Sequence, residues 1–223
     1  MRRFSASLGL ASVTQYLVVA NVLVYALQLL NQPTVSGGGL ISALSLRAST
    51  WIENTFGLMS VGLPPVYPSF EVWQVLSYMF LHGSLAHIAI NMFVLWQFGN
   101  ILERVWGSQR FLKYYFFTGI GAGILTVLAS LIWPTLGPTI GASGAIMGVL
   151  FAFAMLFPNQ QLMLLFPPIP IRAKYLVIVI AAVSIFFQLS GALPGIGHIT
   201  HLGGLALGLL YFKGPIQIRR LLS

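Results

Sequence analysis

Charge is what this sequence has least of. Only 6% of its 223 residues are Asp, Glu, Lys or Arg, against roughly 25% in an ordinary soluble domain. Apolar residues make up 57%. A soluble fold of this size cannot cover its surface with so few charges, so the chain reads as an integral membrane protein. The only acids are Glu53, Glu71 and Glu103, and there is neither aspartate nor cysteine. The missing aspartates exclude a paired-aspartate intramembrane protease and a Ser-His-Asp triad. The missing cysteines exclude thiol catalysis, a cysteine-based zinc site and any disulfide. A net charge of +8 raises the question of nucleic acid. The basic residues answer it, because they fall in small groups between long apolar runs and form no stripe; no nucleic-acid partner is expected.

An apolar helix needs about 20 residues to cross a hydrocarbon core of ~30 Å. Six candidate spans are present: Val13 to Leu30, Ser84 to Leu102, Phe111 to Ile132, Ser143 to Phe157, Tyr175 to Ser190 and Ile199 to Phe212. Residues 1–223 are therefore expected to form a single all-α transmembrane domain, with a long connection at 31–83. Met1-Arg2-Arg3 before an apolar stretch has the look of a secretory leader, but no small-x-small site follows Leu30, so a retained first helix is expected. Arg2 and Arg3 precede the first span. Arg104, Arg110 and Lys113 flank the second connection, Arg172 and Lys174 the fourth, and Lys213, Arg219 and Arg220 follow the last span. Ten of the eleven basic residues thus fall on one side, with Arg47 alone on the other. The positive-inside rule makes that side cytoplasmic and places both termini there.

The outer connection carries Trp51, Trp73, Glu53, Glu71 and the stretch Leu63-Pro64-Pro65-Val66-Tyr67-Pro68. Its length suggests a functional loop, and segments such as Ile41 to Phe56 are expected to lie in the membrane interface as short amphipathic helices. Pro158 to Ile171, with Pro167, Pro168 and Pro170, reads as a turn-rich cytoplasmic linker.

Polar residues inside the spans are few and placed alike. The fourth span has 15 residues, about 22 Å of helix, which is too short to cross alone. Its outer end should be recessed, with the loop from Trp133 to Ala142 dipping in above it beside protein or water. Ser143 stands at that end within Gly141-Ala142-Ser143-Gly144-Ala145-Ile146-Met147-Gly148. Such a helix start permits a tight turn and leaves backbone N–H groups at a positive dipole end. His87 and Asn91, four apart, share a face of the second span, and His198 and His201 open the sixth. Since the second, fourth and sixth spans run in the same direction, these groups converge just below the outer surface, and ionisable residues at such depth point to function. Gly144 and Gly148 on the fourth helix, and Gly204 and Gly208 on the sixth, form small-xxx-small faces that let backbones approach. Gly119 and Gly123 match the same pattern and read as plain packing.

Serine becomes a nucleophile once a base takes its proton, and histidine has a suitable unperturbed pKa. No carboxylate is expected nearby: Glu103 lies at the cytoplasmic end of the second span, and Glu53 and Glu71 are in the outer loop. A hydrolase here would be a Ser-His dyad, with helix-start N–H groups, His87 and Asn91 as oxyanion donors. Spacing leaves the base open between His198 and His201. Taken singly, Ser143 also reads as a helix N-cap, a histidine as an interfacial residue and Asn91 as interhelical glue. A channel or transporter with a polar pathway is the competing reading of the cluster.

The motifs carry a resemblance. Gly141 to Gly148 resembles the GxSGxxxG motif of the rhomboid family of intramembrane serine proteases. His82-Gly83-Ser84-Leu85-Ala86-His87-Ile88-Ala89-Ile90-Asn91 resembles that family's HxxxxHxxxN signature, and His201-Leu202-Gly203-Gly204-Leu205-Ala206-Leu207-Gly208 its HxxGxxxG. Glu103 to Ser108 is similar to its ExxxGS stretch. The similarity runs from about Trp73 to Tyr211, in the family's order. It implies a rhomboid-like six-helix bundle acting on transmembrane protein substrates without metal or cofactor, and the compact six-helix form with no clear presequence makes a cell inner membrane the expected location. It also implies Ser143 as nucleophile, His201 as general base and then acid, and His87, Asn91 and the Ser143 N–H as the oxyanion site; His82 would be a structural or rim residue. A non-cutting relative that escorts membrane clients remains the alternative within the family. The chain departs from the family pattern at Trp73-Gln74, where several bacterial members have Trp-Arg, and at Met147, where a tyrosine often packs on the base. A Met147 thioether could partly replace that contact. The sequence carries no signal for an oligomeric state.

Overall fold

The computed structural model describes residues 12–31, 51–65, 68–135, 137–163, 168–191 and 197–213. Arg2, Arg3, Arg47, Arg219 and Arg220 lie outside the described residues, as do residues 41–50 of the expected interfacial segment, Val66 and Tyr67 of the proline-rich stretch, and Pro167 of the cytoplasmic linker. The elements in order are α1 (Val13–Leu30), α2 (Trp51–Phe56), α3 (Gln74–Ser77, continued by a 3₁₀ turn Tyr78–Phe80), α4 (Leu85–Trp106), α5 (Ser108–Ala129), α6 (Ser143–Leu156), a hairpin of β1 (Gln161–Met163) and β2 (Pro170–Arg172), α7 (Ala173–Ser190) and α8 (His198–Lys213). This is an all-α bundle. Helices α1, α4, α5 and α7 are long and apolar enough to cross a membrane, while α6 has 14 residues.

Helix α1 starts at a capping box. Ser12 Oγ accepts from the Gln15 N–H, and the Gln15 side chain accepts from the Ser12 N–H, which satisfies two donors the helix start would leave unpaired. Thr14, Leu17, Asn21, Tyr25 and Gln28 are its buried residues. Their spacing of three and four places them on one face. Thr14 and Gln28 are tied to other elements at the two ends of the helix, because lipid offers them no partner, while Asn21 between them donates to the Leu17 carbonyl of α1 itself. At the start, the Glu103 carboxylate accepts from the Val13 and Thr14 N–H groups at 2.8 and 2.9 Å and from the Thr14 hydroxyl at 2.7 Å. The Ser108 hydroxyl donates to the same carboxylate at 2.6 Å. An anion at a helix N-terminus is favoured by the dipole as well as by these hydrogen bonds. Replacing Glu103 with Gln should cost about 3 kcal/mol, since charged hydrogen bonds are lost and α1 donors are left unmet. Thermal unfolding in detergent micelles should then fall by roughly 8 °C; an unchanged midpoint would mean the carboxylate does not hold α1.

Helix α4 contains a π segment at Leu95–Gly99, where side chains of α1 and α5 reach its backbone at Gly99. A Cβ on Gly99 would lie 3.0 Å from Thr14 and 3.1 Å from Phe111. The helix reaches Trp106, past the sequence limit at Leu102, because Glu103 is consumed by α1 rather than solvated. Gly107, with φ +82°, turns the chain into α5. The end of the bundle at the α4–α5 turn is closed by aromatic rings: Trp106, Tyr114 and Tyr211 are in mutual contact. Arg110 donates to the Tyr211 hydroxyl at 2.7 Å, and Tyr114 donates to the Gly148 carbonyl at 2.7 Å.

Helix α6 is the core of the bundle. Gly144, Ala145, Ile146, Gly148, Val149, Leu150, Ala152, Phe153 and Ala154 are all buried. Small residues let its neighbours reach its backbone. A Cβ on Gly204 of α8 would strike the Gly144 carbonyl, and one on Gly148 would lie 2.5 Å from Thr118 of α5. By contrast, α7 buries only Ala173 and Ser184.

The described part of the long connection between α1 and α4 is sewn down over the start of α6. Leu58 and Thr139 exchange backbone hydrogen bonds at 2.9 Å each, and Ser60 bonds the Thr135 N–H. Gln74, which stands where the sequence departs from the family pattern, is a buried hub. Its Oε1 accepts from the Met59 and Glu71 N–H groups, and its Nε2 donates to the Thr55 carbonyl, which Trp73 Nε1 also reaches. Below this cover, Gly141 and Ala142 are buried.

Candidate active site

Ser143 is the first residue of α6, but it does not cap it. The capping position is Ala142, and no side chain closes the helix start. The Ser143 hydroxyl turns instead to α8, where Oγ stands 2.9 Å from His201 Nε2. The close approach of Gly144 and Gly204 brings these two groups together, since each glycine lies one to three residues from its partner in the pair.

His198 points elsewhere. Its ring stacks on Phe187 of α7, with centroids 5.7 Å apart and planes at 20°, and meets His201 only edge-on at 6.3 Å. His198 Nε2 is buried without a hydrogen-bond partner. The two histidines that spacing leaves equivalent are thus separated by geometry, and His201 is the one on Ser143.

His87 and Asn91 face the turn that precedes Ser143. Ser84 caps α4 by accepting from the His87 N–H at 3.1 Å, and His87 Nδ1 accepts from the Gly83 N–H at 3.4 Å. With Nδ1 accepting, the proton of a neutral His87 sits on Nε2. That nitrogen lies 2.9 Å from the point where Gly141 would carry a Cβ, and Asn91 Nδ2 lies 3.6 Å from it. Gly141 has φ +128°, a conformation open to glycine and strained for other residues, and its N–H is held by the Tyr78 carbonyl at 2.9 Å. The missing side chain leaves a small cleft lined by two side-chain donors. The first N–H groups of α6, which have no intrahelical acceptor, begin beside it. Such an arrangement can hold a developing oxyanion next to a hydroxyl paired with a base.

Ser143, His201, His87 and Asn91 therefore meet in one place, with Ser143, His87 and His201 half-buried and Asn91 buried. The three glutamates stand apart. Glu103 binds α1, Glu71 accepts from Ser69 and donates its N–H to Gln74, and Glu53 accepts from Gln28. Among the described residues no carboxylate is hydrogen-bonded to His201, and no group of three His or Glu could hold a metal ion. His82, expected as a structural or rim residue, is the former: it is fully buried, with Nε2 3.1 Å from Asn91 Nδ2. Its place as the first histidine of the α4 signature is the one sequence signal that pointed toward the site.

Comparison with known proteins agrees with this arrangement. Residues 69–214 match the Rhomboid domain. The chain is 33% identical over 147 residues to Rhomboid protein 1, mitochondrial, of Saccharomyces cerevisiae, covering 62% of this chain and 40% of that protein. It is 32% identical over 133 residues to the human Presenilin-associated rhomboid-like protein, mitochondrial, covering 59% and 35%. It is 36% identical over 138 residues to Rhomboid protease GluP of Bacillus subtilis, covering 62% and 25%. The chain thus spans well under half the length of these relatives. With the family domain covering most of the bundle, and the serine, histidines and asparagine of the motifs meeting in one cleft, the chain belongs to the rhomboid family of multi-pass membrane proteins, a protease family.

Proposed function

We propose that this chain is an intramembrane serine endopeptidase that cleaves other membrane proteins in or near their transmembrane segments. The carrying observation is the 2.9 Å contact between Ser143 Oγ and His201 Nε2 beside a cleft lined by donors. His201 takes the Ser143 proton as Oγ attacks the scissile carbonyl. The negative charge that develops on the carbonyl oxygen is received in the Gly141 cleft by His87 Nε2–H, the Asn91 amide and the Ser143 N–H. His201 then gives its proton to the leaving amine, and a water activated by the same histidine releases the acyl group. No carboxylate backs His201, so the pair acts as a dyad.

Residues 1–223 act as one six-span transmembrane unit, with both termini in the cytoplasm of a cell whose inner membrane holds the protein. Water reaches the site from the outer face. Substrate approaches from the side, along a cavity of about 910 Å³ bounded by Phe93 and Gln97 of α4, Met147 and Leu150 of α6, and Leu176 and Ile180 of α7. Because α7 buries so little of itself, its displacement costs little packing.

A serine-directed fluorophosphonate tests the reading. The purified protein should be labelled at Ser143, and His201→Ala should lose the label. Cleavage of a single-span reporter should accompany labelling. A client-binding relative would label without cutting, and a transporter would do neither while passing ions in liposomes; either result would overturn the proposal.

A further inference from the structure

The sequence reading gives His82 no catalytic connection and leaves Glu53 in an outer loop. The structure links both to the cleft through Gln28 of α1. The Gln28 carboxamide grips the backbone of His82 from both sides. Its Oε1 accepts from the His82 N–H at 2.9 Å, and its Nε2 donates to the His82 carbonyl at 3.3 Å. The same Nε2 donates to Glu53 Oε1 at 2.5 Å, which fixes which way the carboxamide faces. All three residues are buried, Gln28 and His82 fully. Fifty-four residues separate Gln28 from His82, so this contact joins α1 to the segment that leads into α4. The 3₁₀ turn Tyr78–Phe80 lies just before His82, and Tyr78 holds the Gly141 N–H.

His82 passes this constraint on. Its Nε2 lies 3.1 Å from Asn91 Nδ2. The Nδ2 group of an amide only donates, so with the amide in this orientation Nε2 accepts and the ring proton sits on Nδ1, which is buried without a hydrogen-bond partner. Burial, and then the neighbouring His87, push the His82 imidazole down to about 3, against the Phe80 carbonyl, and the ring is neutral at physiological pH. One hydrogen of Asn91 Nδ2 is thereby occupied. Its second hydrogen is left for the Gly141 cleft, from which Nδ2 is 3.6 Å. Were the amide to turn over, its oxygen would face the cleft and repel an oxyanion. The contact between the His82 and His87 rings, 5.0 Å between centroids with planes at 65°, sets the second donor against the same support.

We infer that Gln28, Glu53 and His82 form a positioning relay for the oxyanion site, in which Glu53 orients Gln28, Gln28 fixes the His82 backbone, and the His82 ring holds the Asn91 amide with its N–H toward the cleft. The inference rests on the catalytic reading of Ser143 and His201, and it assigns a role in rate to two residues of α1 and the outer loop that touch no substrate.

The test uses the whole protein in proteoliposomes with a single-span reporter. His82→Phe keeps a ring and removes the acceptor. It should lower kcat by ~10-fold or more at unchanged KM, as one misdirected oxyanion donor can cost up to ~10²–10³. His82→Gln returns an acceptor near the Nε2 position and should restore most of the rate. Gln28→Leu should move kcat in the same direction. A purely structural role predicts a lower melting temperature with kcat unchanged below it, and that result overturns the inference. Should His82→Phe not fold, ¹⁵N NMR of histidine-labelled wild type decides the matter. An unprotonated Nε2 on His82 supports the relay, and a protonated one overturns it. Loss of cleavage in Ser143→Ala with full kcat in His82→Phe would sink the relay alone, whereas undiminished cleavage in Ser143→Ala would sink the catalytic reading beneath it.

Discussion

Ser143→Ala and His201→Ala should each lower reporter cleavage by ~10⁴-fold or more, and the double variant should be no worse than either, because groups that act as a unit are strongly non-additive. The expectation follows from the single contact they share. Without His201 the Ser143 hydroxyl keeps its proton, and without Ser143 the base has nothing to activate. Initial rates in proteoliposomes measure both. His198→Ala supplies the internal contrast. That ring is stacked on Phe187 and meets His201 only at its edge, so its removal should cost less than ~10-fold, the loss of a packing contact rather than of a proton acceptor. A His198→Ala variant as inactive as His201→Ala would mean that the base has been assigned to the wrong histidine. Retained cleavage in either single variant of the pair would end the dyad reading.

The same pair marks how far the sequence could be read. Motif order and small-residue spacing were enough to bring the fourth and sixth spans together, because both features are local. The choice between His198 and His201 was not local. Residues three apart on one helix face a similar way, and what separates these two is a ring on α7 and a serine on α6. Helix α1 begins and ends where the apolar run does, since Ser12 and Gln15 close its start within the sequence itself. The end of α4 was harder to see. Glu103 and Arg104 looked like the edge of the membrane, yet Glu103 is drawn into the bundle by N–H groups 89 and 90 residues away. Glu53 was legible only as a residue of the long connection and Gln74 only as a departure from the family pattern; both are buried on partners that no periodicity announces.

What the scarcity of charge implies can now be stated in terms of packing. Each carboxylate inside the bundle is engaged by donors from another element, with Glu103 on α1 and Glu53 on Gln28. An unpaired carboxylate at such depth would be expensive. Using the glutamates in this way leaves Ser143 and His201 among groups that are formally uncharged, the setting that the proposed dyad requires. The cost is that nothing charged holds the His201 ring in place. The close α6–α8 approach at Gly144 and Gly204 supplies that constraint by geometry instead.

Gly141→Ala should reduce kcat by ~10³-fold while the protein remains folded, because the new methyl would stand where the oxyanion forms. Its Cβ would lie 2.8 Å from His87 Cε1 and 2.9 Å from His87 Nε2, closer than either atom tolerates, and the His87 ring must turn away. Backbone strain adds to this, since φ is +128°, but strain alone is worth only about 1–3 kcal/mol. Gly107→Ala separates the two effects. Gly107 also has positive φ, at +82°, with nothing within 4 Å of its would-be Cβ, and it lies at the α4–α5 turn, at the other end of α4 from His87. Both substitutions should lower the melting temperature, Gly141→Ala by more because its methyl also meets His87. Only Gly141→Ala should abolish turnover, and it should do so with the Ser143–His201 contact intact, because that contact is set by α6 and α8 rather than by the turn. Equal loss of activity in the two variants would mean that the cleft at Gly141 is merely a turn, and that the oxyanion is held somewhere other than between His87 and Asn91.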